Sequence, residues 1–517
     1  MATPNERLAA SLTELQKLQQ DGRRVFRSDE LTRVHRARLL QQRFLQEVMR
    51  GWLICADPDG RPGDSTPWFA SLCEFCARYC ETRFGDDWHL GAEQSLMLHA
   101  ENTVVPTQVL IYSSRGSNNN VSLLFGTSLY DFKEKALPSR TELVMRDDLR
   151  LFSLEAGLVR VPPAFFTRSP IEAQVCLSAV RDPSPLLALL LGGGHSVVAG
   201  RLAGAFRHIG RGDIADEVVA GMTAATYRVT ETNPFNSKAV NAATRNEPAI
   251  VGRLRTMWGA ARSVVLERFP APPGLPADPT AYLERIDEIY VSDAYHSLSI
   301  EGYRVTPDLI ERVRFGGWDP KGNERDRKDA NALAARGYWQ AFQAVKETVD
   351  RILAGGNAAA LCEQGLRVWY REMLQPGIAA GAVPVTAMAG YRSGPAYLRT
   401  SRYIPPRAES LRDAMEGLFA LLREEPEPAV RAVLGHWMIG FIHPFPDGNG
   451  RSARFLMNAM LASGGYPWTI IRHEDRATYL ESLDRASIDI DLRPFTDFIA
   501  ERVRCSSSTD SISQLQP

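Results

Sequence analysis

The chain has no long unbroken apolar run. Its most apolar stretch, residues 185–200, is interrupted by Gly192, Gly193 and Gly194, and it falls short of the roughly 20 residues that a helical bilayer span requires. The first residues, MATPNERLAASL, lack the basic-then-apolar order of a secretory signal. Cysteine is scarce: seven in 517 residues, an odd number and scattered. That excludes a disulfide framework and suits reduced thiols, so the expected setting is cytoplasmic, away from membranes. A formal net charge of −1 gives no global pull toward nucleic acid. GGGHSVVAGR at 192–201 looks like a phosphate loop but lacks the Lys-Ser/Thr that would hold phosphate and magnesium. It reads better as one helix ending and another beginning. What is present is ordinary globular material: 44% apolar and 23% charged residues, in a length that suggests two to four domains.

Residues 1–60 read as short helices followed by an extended run. Ser28 and Asp29 are placed to cap a helix at Glu30–Thr32, a second helix runs from about Arg36 to Glu47, and Gly51–Ile54 reads as a strand or wing. Between Arg23 and Arg50 stand eight arginines against three acids. A winged helix-turn-helix touching DNA phosphates and a protein-interaction module with solvated arginines fit equally well. Residues 61–268 read as a mixed α/β region, with strands at 103–112 and 121–126 and helices at 171–191 and 196–230. Cys73, Cys76 and Cys80 share a helix face, with His89 as the nearest fourth ligand for a metal. Beside Trp68, Phe69, Leu72 and Phe75, a buried stripe is the better reading. The proline-rich 269–281 segment reads as a linker, residues 282–504 as mostly helical, and 505–517 as a disordered tail.

The chemistry concentrates in HPFPDGNGRSAR, residues His443 to Arg454. Val430, Val433, Leu434, Trp437, Met438 and Phe441 recur at helical spacing ahead of it. Pro444 ends that helix and leaves His443 at its mouth, where an imidazole suits a general base. Gly448, Asn449 and Gly450 can take positive φ and expose successive N–H groups at the start of the next helix, a site for anions. Arg451 and Arg454 add permanent, fork-shaped charge for phosphate oxygens. Asp447 would be out of place beside phosphates unless a cation such as Mg2+ bridged them.

This run resembles the Fic (Fido) signature, His-x-Phe-x-Asp/Glu-Gly-Asn-Gly-Arg-x-x-Arg, at every specified position. The likeness covers roughly residues 282–504, with the core at about 361–502. It implies a mainly α fold: a Fic helical core with a β-hairpin flap, preceded by a candidate winged helix-turn-helix and the mixed α/β region. It further implies a nucleotidyltransferase that moves AMP from ATP to a Ser, Thr or Tyr hydroxyl of a protein. His443 would be the base, and Asp447 the Mg2+ ligand. Gly448, Asn449 and Gly450 would line the nest, with Asn449 near the α-phosphate. Arg451 and Arg454 would hold the outer phosphates. Residues 388–406, with Gly390, Tyr391, Arg392, Ile404 and Pro405, look like the flap along which a protein substrate lies. Tyr479 and Leu480 are candidate adenine contacts, although some relatives have Asn where this chain has Ser487.

SLSIEG at 297–302 resembles the family's inhibitory motif. Ser297 and Glu301 are four apart on one helix face, and Gly302 can end the helix. The resemblance implies that Glu301 pairs with Arg454 and takes the place of the γ-phosphate. The N-terminal half also resembles antitoxin-like regions of AbiEi-type proteins, on SDELTRVHRARLL, HLGAEQSLMLHA and HSVVAGRLAGAFRHIGR. Two alternatives stand beside the autoinhibited transferase. One is a DNA-binding regulator or toxin–antitoxin fusion with a nucleotide-sensing Fic domain. The other is a deAMPylase or other phosphoryl-type transferase. A homodimer is compatible with all three.

Overall fold

A computed structural model describes residues 3–60, 63–236, 247–317, 319, 326 and 328–507. Packing divides it into two compact units. One comprises Met1–Ala249 together with Tyr397–Ile404, and the other comprises Ile250–Ala396 and Pro405–Pro517.

The first unit opens with helix α1 (Pro4–Leu18), strand β1 (Val25–Arg27), helix α2 (Arg33–Gln41) and strands β2 (Leu45–Met49) and β3 (Trp52–Cys55). The three strands form an antiparallel sheet in the order β1-β3-β2. Alternation along β3 explains why it is central. Leu53 packs with Leu15, Phe26 and Leu39, whereas Trp52 and Ile54 face a second cluster around Trp68 and Phe75. Two expectations fail locally. Glu30 to Thr32 form no helix, because Glu30 accepts hydrogen bonds from Arg27 N and the Arg23 guanidinium. The second helix stops at Gln41, where Leu45 enters the sheet instead. Thr32 caps α2.

Most of the basic run is occupied. Arg23 pairs with Glu30 and Arg27 with Asp29. Arg36 donates to the Ser28 carbonyl, and Arg38 to Ser11 and the Arg7 carbonyl. Arg33, Arg43 and Arg50 are exposed.

Further along, a four-stranded sheet pairs Gln108–Ser113 in parallel with Ser128–Lys133, flanked by His89–Leu90 and Asn119–Ser122. Cys76 and Cys80 are buried in the Trp68 cluster, with both thiols pushed up by burial, while Cys73 is exposed. His89 bonds the Leu90 carbonyl and Glu134, and among the described residues no group of His, Cys, Asp and Glu is arranged to hold a metal. A cavity of about 910 Å3 opens beside His89 and Tyr112. Its charged walls are already matched, His89 to Glu134, Arg160 to Glu142 and Arg168 to Glu93.

The segment expected to be a β-hairpin flap has no ladder of its own. Residues 397–404 are built into the first unit. Val105 N–H donates to the Arg402 carbonyl at 2.8 Å, Arg402 returns a bond to the Val105 carbonyl at 3.1 Å, and Ile404 packs on the Trp68 cluster. Backbone groups that would pair across a hairpin are satisfied there instead.

The second unit is helical. The 269–281 segment is no free tether. Gly274 N–H bonds the Gly464 carbonyl, Tyr466 Oη donates to the Pro270 carbonyl, and a Cβ on Gly465 would lie 1.7 Å from Gly274 O. Helix α3 (Pro279–Ile300) starts on an Asp278 cap, and α4 (Ala330–Leu353) and α5 (Ala358–Ala379) pack side by side. Helices α6 (Pro428–Ile442) and α7 (Asn449–Ala462) are buried on almost every side, which accounts for their near-continuous apolar character. Helix α8 (Arg476–Ile488) and Arg493–Ser507 close the unit, so Cys505–Ser507 of the expected tail are helical and 508–517 lie outside the described residues. Among the described residues no single helix is long and apolar enough to cross a membrane.

Candidate active site

His443 stops α6 by adopting left-handed backbone, φ 49° and ψ 57°. A non-glycine residue there is strained, and such strain gathers where function requires a fixed side chain. Burial, and then the Arg392 guanidinium, push its imidazole pKa down to about 4. The ring is therefore neutral across the physiological range. The Gly440 backbone, Glu301 and Asp447 oppose that shift without reversing it, and a neutral imidazole keeps one ring nitrogen able to accept a proton.

Helix α7 begins on Gly448, whose φ of 79° turns the chain into the helix without a side-chain cap. Only Gly448 takes positive φ; Asn449 and Gly450 are already helical. The nest is thus one left-handed glycine followed by the open N–H groups of a 14-residue helix. The Asn449 side chain does not face it. Its amide accepts from Phe445 N and donates to the Phe445 carbonyl, at 2.8 and 2.7 Å, and so braces the loop. Phe445 is held in turn by Tyr370, stacked at 4.0 Å between ring centroids, and by Tyr391.

Arg451 is buried, lies over the Tyr303 ring and bonds Asp447 at 2.8 Å. Asp447 itself is 65% exposed, so its carboxylate can turn outward at the nest's mouth. Arg454 is buried under α3. Its Nε donates to Ser297 Oγ at 2.9 Å, and its Nη2 donates to the Ser297 carbonyl at 3.1 Å and to Glu301 Oε1 at 2.7 Å. Burial opposes the guanidinium charge, but Glu301, Tyr479 and Tyr338 together overcome it and hold Arg454 protonated more firmly than usual. Arg454 Nη1 is buried without a hydrogen-bond partner. The carboxylate lies on the nest itself: a Cβ at Gly450 would meet Glu301 Oε1 at 2.3 Å and Arg454 Nη1 at 3.2 Å. Ser297 and Glu301 therefore both meet Arg454, with Glu301 also at Gly450, and Gly302, with φ 93°, ends α3.

Other residues fall elsewhere. Tyr479 is fully buried with its hydroxyl 2.8 Å from His436 Nε2, Leu480 is on the surface, and Ser487 accepts from Trp437 in the core. Tyr479 is also an electrostatic neighbour of Arg454, so it borders the phosphate end of the site. Gly390, Tyr391 and Arg392 stand beside the motif loop, whereas Ile404 belongs to the first unit. A group not singled out in the sequence is Asp293, one turn ahead of Ser297. It accepts from Tyr338 Oη at 2.6 Å and Trp468 Nε1 at 3.1 Å, and burial raises its pKa to about 6. The four-residue steps from Asp293 to Ser297 to Glu301 carried that signal.

Gly450→Ala supplies a direct test of this crowding. Its Cβ would displace the Glu301 carboxylate and also fill the nest. The expected outcome is loss of binding of a trinitrophenyl-labelled nucleoside triphosphate, with no gain of any activity. A variant that binds the probe as well as wild type would show that the nest is not the anion site.

Residues 361–461 match the family described as Fic/DOC. Over 46% of this chain and 51% of the relative, it is 31% identical to "Protein adenylyltransferase Fic" of Nematostella vectensis. Over 44% of this chain and 42% of the relative, it is 35% identical to "Protein adenylyltransferase fic-1" of Caenorhabditis elegans. The chain thus spans about half the length of the curated relatives it matches. Among solved structures, "Fic-1 (aa134 - 508) from C. elegans" aligns over 68% of this chain and 98% of that one, at 20% identity and a TM-score of 0.37.

Proposed function

We propose that the Fic/DOC domain carried by residues 361–461 makes this chain an autoinhibited protein adenylyltransferase, transferring AMP from ATP to a Ser, Thr or Tyr hydroxyl of another protein in the cytoplasm. The observation that carries the reading is the Glu301 carboxylate seated on the Gly450 nest and paired with Arg454, beside a neutral, fixed His443. An anion nest with a carboxylate inside it is a phosphate site already filled. The two curated relatives named above support the activity.

In this reading ATP enters when Glu301 withdraws. Arg454, with its spare Nη1, and Arg451 hold the outer phosphates, and the N–H groups after Gly448 hold the inner ones. The target hydroxyl gives its proton to His443. Its oxygen bonds the α-phosphorus, the bond to the bridging oxygen breaks, and pyrophosphate leaves. The site suits Mg2+: Asp447 is one exposed carboxylate at the nest, and this ion takes most of its oxygens from phosphates and water. When bound, it would neutralise charge on the phosphates. The target segment would lie along 390–396, next to His443.

The test uses Glu301→Gly with cell lysate and ATP labelled on either the α- or the γ-phosphate. Label should enter protein from the α position alone. Label from the γ position would instead mark a kinase and sink the adenylyl reading. The pH dependence follows from His443. Its pKa is depressed to about 4, so the base form persists above that pH and is lost as pH falls through it. Initial rates of the Glu301→Gly variant should therefore stay flat from pH 8 to about 5. An acid limb at the ordinary imidazole pKa, about 6.5, would show that the base is a different or more exposed histidine.

The DNA-contact reading of residues 23–50 would rest chiefly on Arg33, Arg43 and Arg50, with the other arginines engaged inside the fold. A salt-dependent gel shift that these three substitutions abolish is what it requires.

A further inference from the structure

We propose that Arg392 is a positioning residue for transfer: its guanidinium locks the left-handed turn at His443 to the segment on which the target docks, so that docking and base placement are one mechanical event. This rests on the adenylyltransferase reading and adds a residue to it.

The geometry is unusually complete for one side chain. Arg392 Nε donates to the His443 carbonyl at 2.9 Å, Nη1 to the Gly394 carbonyl at 2.7 Å, and Nη2 to the Pro406 carbonyl. Its backbone N–H donates to the Pro444 carbonyl at 2.8 Å. The residue is only 7% exposed. Residues 392–394 and 406 and the remote 443–444 stretch therefore converge on this one residue. Only a guanidinium offers donors in three in-plane directions at fixed angles; a lysine ammonium reaches fewer and holds none of them in plane.

The His443 carbonyl is the group that a strained residue at the end of a helix would otherwise leave unpaired. Fixing it fixes ψ of residue 443 and thus where the imidazole stands. The same fork holds Gly394 and Pro406, so a target segment that moves the 390–396 stretch pulls on the base. The bonds given above join Arg392 to the backbone of 394, 406, 443 and 444, so the proposed role is base placement and not nucleotide binding.

Arg392 also acts by charge. The charged groups facing His443 are Arg392 from the docking segment, Glu301 from α3 and Asp447 from the loop. Arg392 disfavours the imidazolium and the two carboxylates favour it. Comparisons are therefore made within the Glu301→Gly background.

The experiment compares Arg392→Lys and Arg392→Met, each with Glu301→Gly, after melting curves establish that they are folded. Misplacing a base by about 1 Å costs about a hundredfold, so kcat should fall by that order in both variants. ATP KM should stay within about twofold, because the fork carries no binding of nucleotide. The acid limb of the rate, and the His443 imidazole titration followed by NMR and assigned by its loss in His443→Ala, should move upward in the Met variant. They should stay in place in the Lys variant, which keeps the charge.

A lysine variant with full kcat would overturn the role of the fork. A parallel loss of ATP affinity in both variants would reduce Arg392 to general structural support. A rise in target KM alone would limit it to docking. The NMR titration needs no turnover. If the Glu301→Gly parent transfers no AMP, the enzyme reading fails, while an unmoved His443 titration in the Met variant would separately overturn the hold of Arg392 on the base.

Discussion

Glu301→Gly is expected to raise AMP transfer from labelled ATP to lysate proteins by roughly ten- to a hundredfold over wild type. That range follows from losing a tethered competitor whose coupling to a second ligand is typically of that size. The physical argument is one of shared donors. Arg454 Nη2 bonds Glu301 at 2.7 Å, and the nest at Gly450 has no room for both a carboxylate and a phosphate. Stability should move the other way. Removing one partner of a pair with a buried cation destabilises, but Glu301 is 30% exposed and Arg454 keeps both bonds to Ser297, so the loss is discounted for solvent. The variant should melt below wild type without nucleotide, and the gap should narrow when ATP and Mg2+ are added. Equal labelling by the two proteins would end the case for inhibition by Glu301. The same variant separates the hydrolytic alternative. If Glu301 positions water to remove AMP from a modified target, wild type should strip label that Glu301→Gly leaves in place.

His443→Ala, made in the Glu301→Gly background, is expected to reduce transfer by about a hundred- to ten-thousandfold, the usual worth of a positioned base. ATP affinity should stay within about twofold, because the nest, Arg451 and Arg454 are untouched. The fall should appear in kcat and not in the KM for ATP. Alanine also tolerates the left-handed backbone no better than histidine does, so His443→Asn, which accepts that conformation more readily, is the companion variant. Should both transfer AMP at the parent rate, the base is another residue.

The reading of the site from sequence was uneven, and the pattern has a cause. HPFPDGNGRSAR is contiguous, so its parts need no folding to be recognised together, and their chemistry is local: a helix end, a turn and a helix start. The Asn449 side chain bonds back to Phe445, a choice between two local partners that spacing does not decide. The family resemblance names Tyr479 and Leu480 as base contacts; the structure buries the first against His436 and puts the second on the surface, a difference that only packing decides. The expected hairpin failed for a longer-range reason: the carbonyl of Arg402 is satisfied by Val105, 297 residues away along the chain.

The sequence by itself determined the motif, the histidine at its helix end, the glycine turn after it and the four-residue step that puts Ser297 and Glu301 on one face. These are properties of neighbours along the chain, governed by helical geometry and by what glycine and proline permit. Only the tertiary structure decided that Glu301 meets Arg454 across 153 residues, that Asp293, Tyr338 and Trp468 form a buried network next to Ser297, and that Arg392 joins the His443 carbonyl to those of Gly394 and Pro406. Each depends on which groups lose their water together when helices pack. A buried charge or carbonyl takes the partner that packing brings to it, and spacing carries no record of that partner.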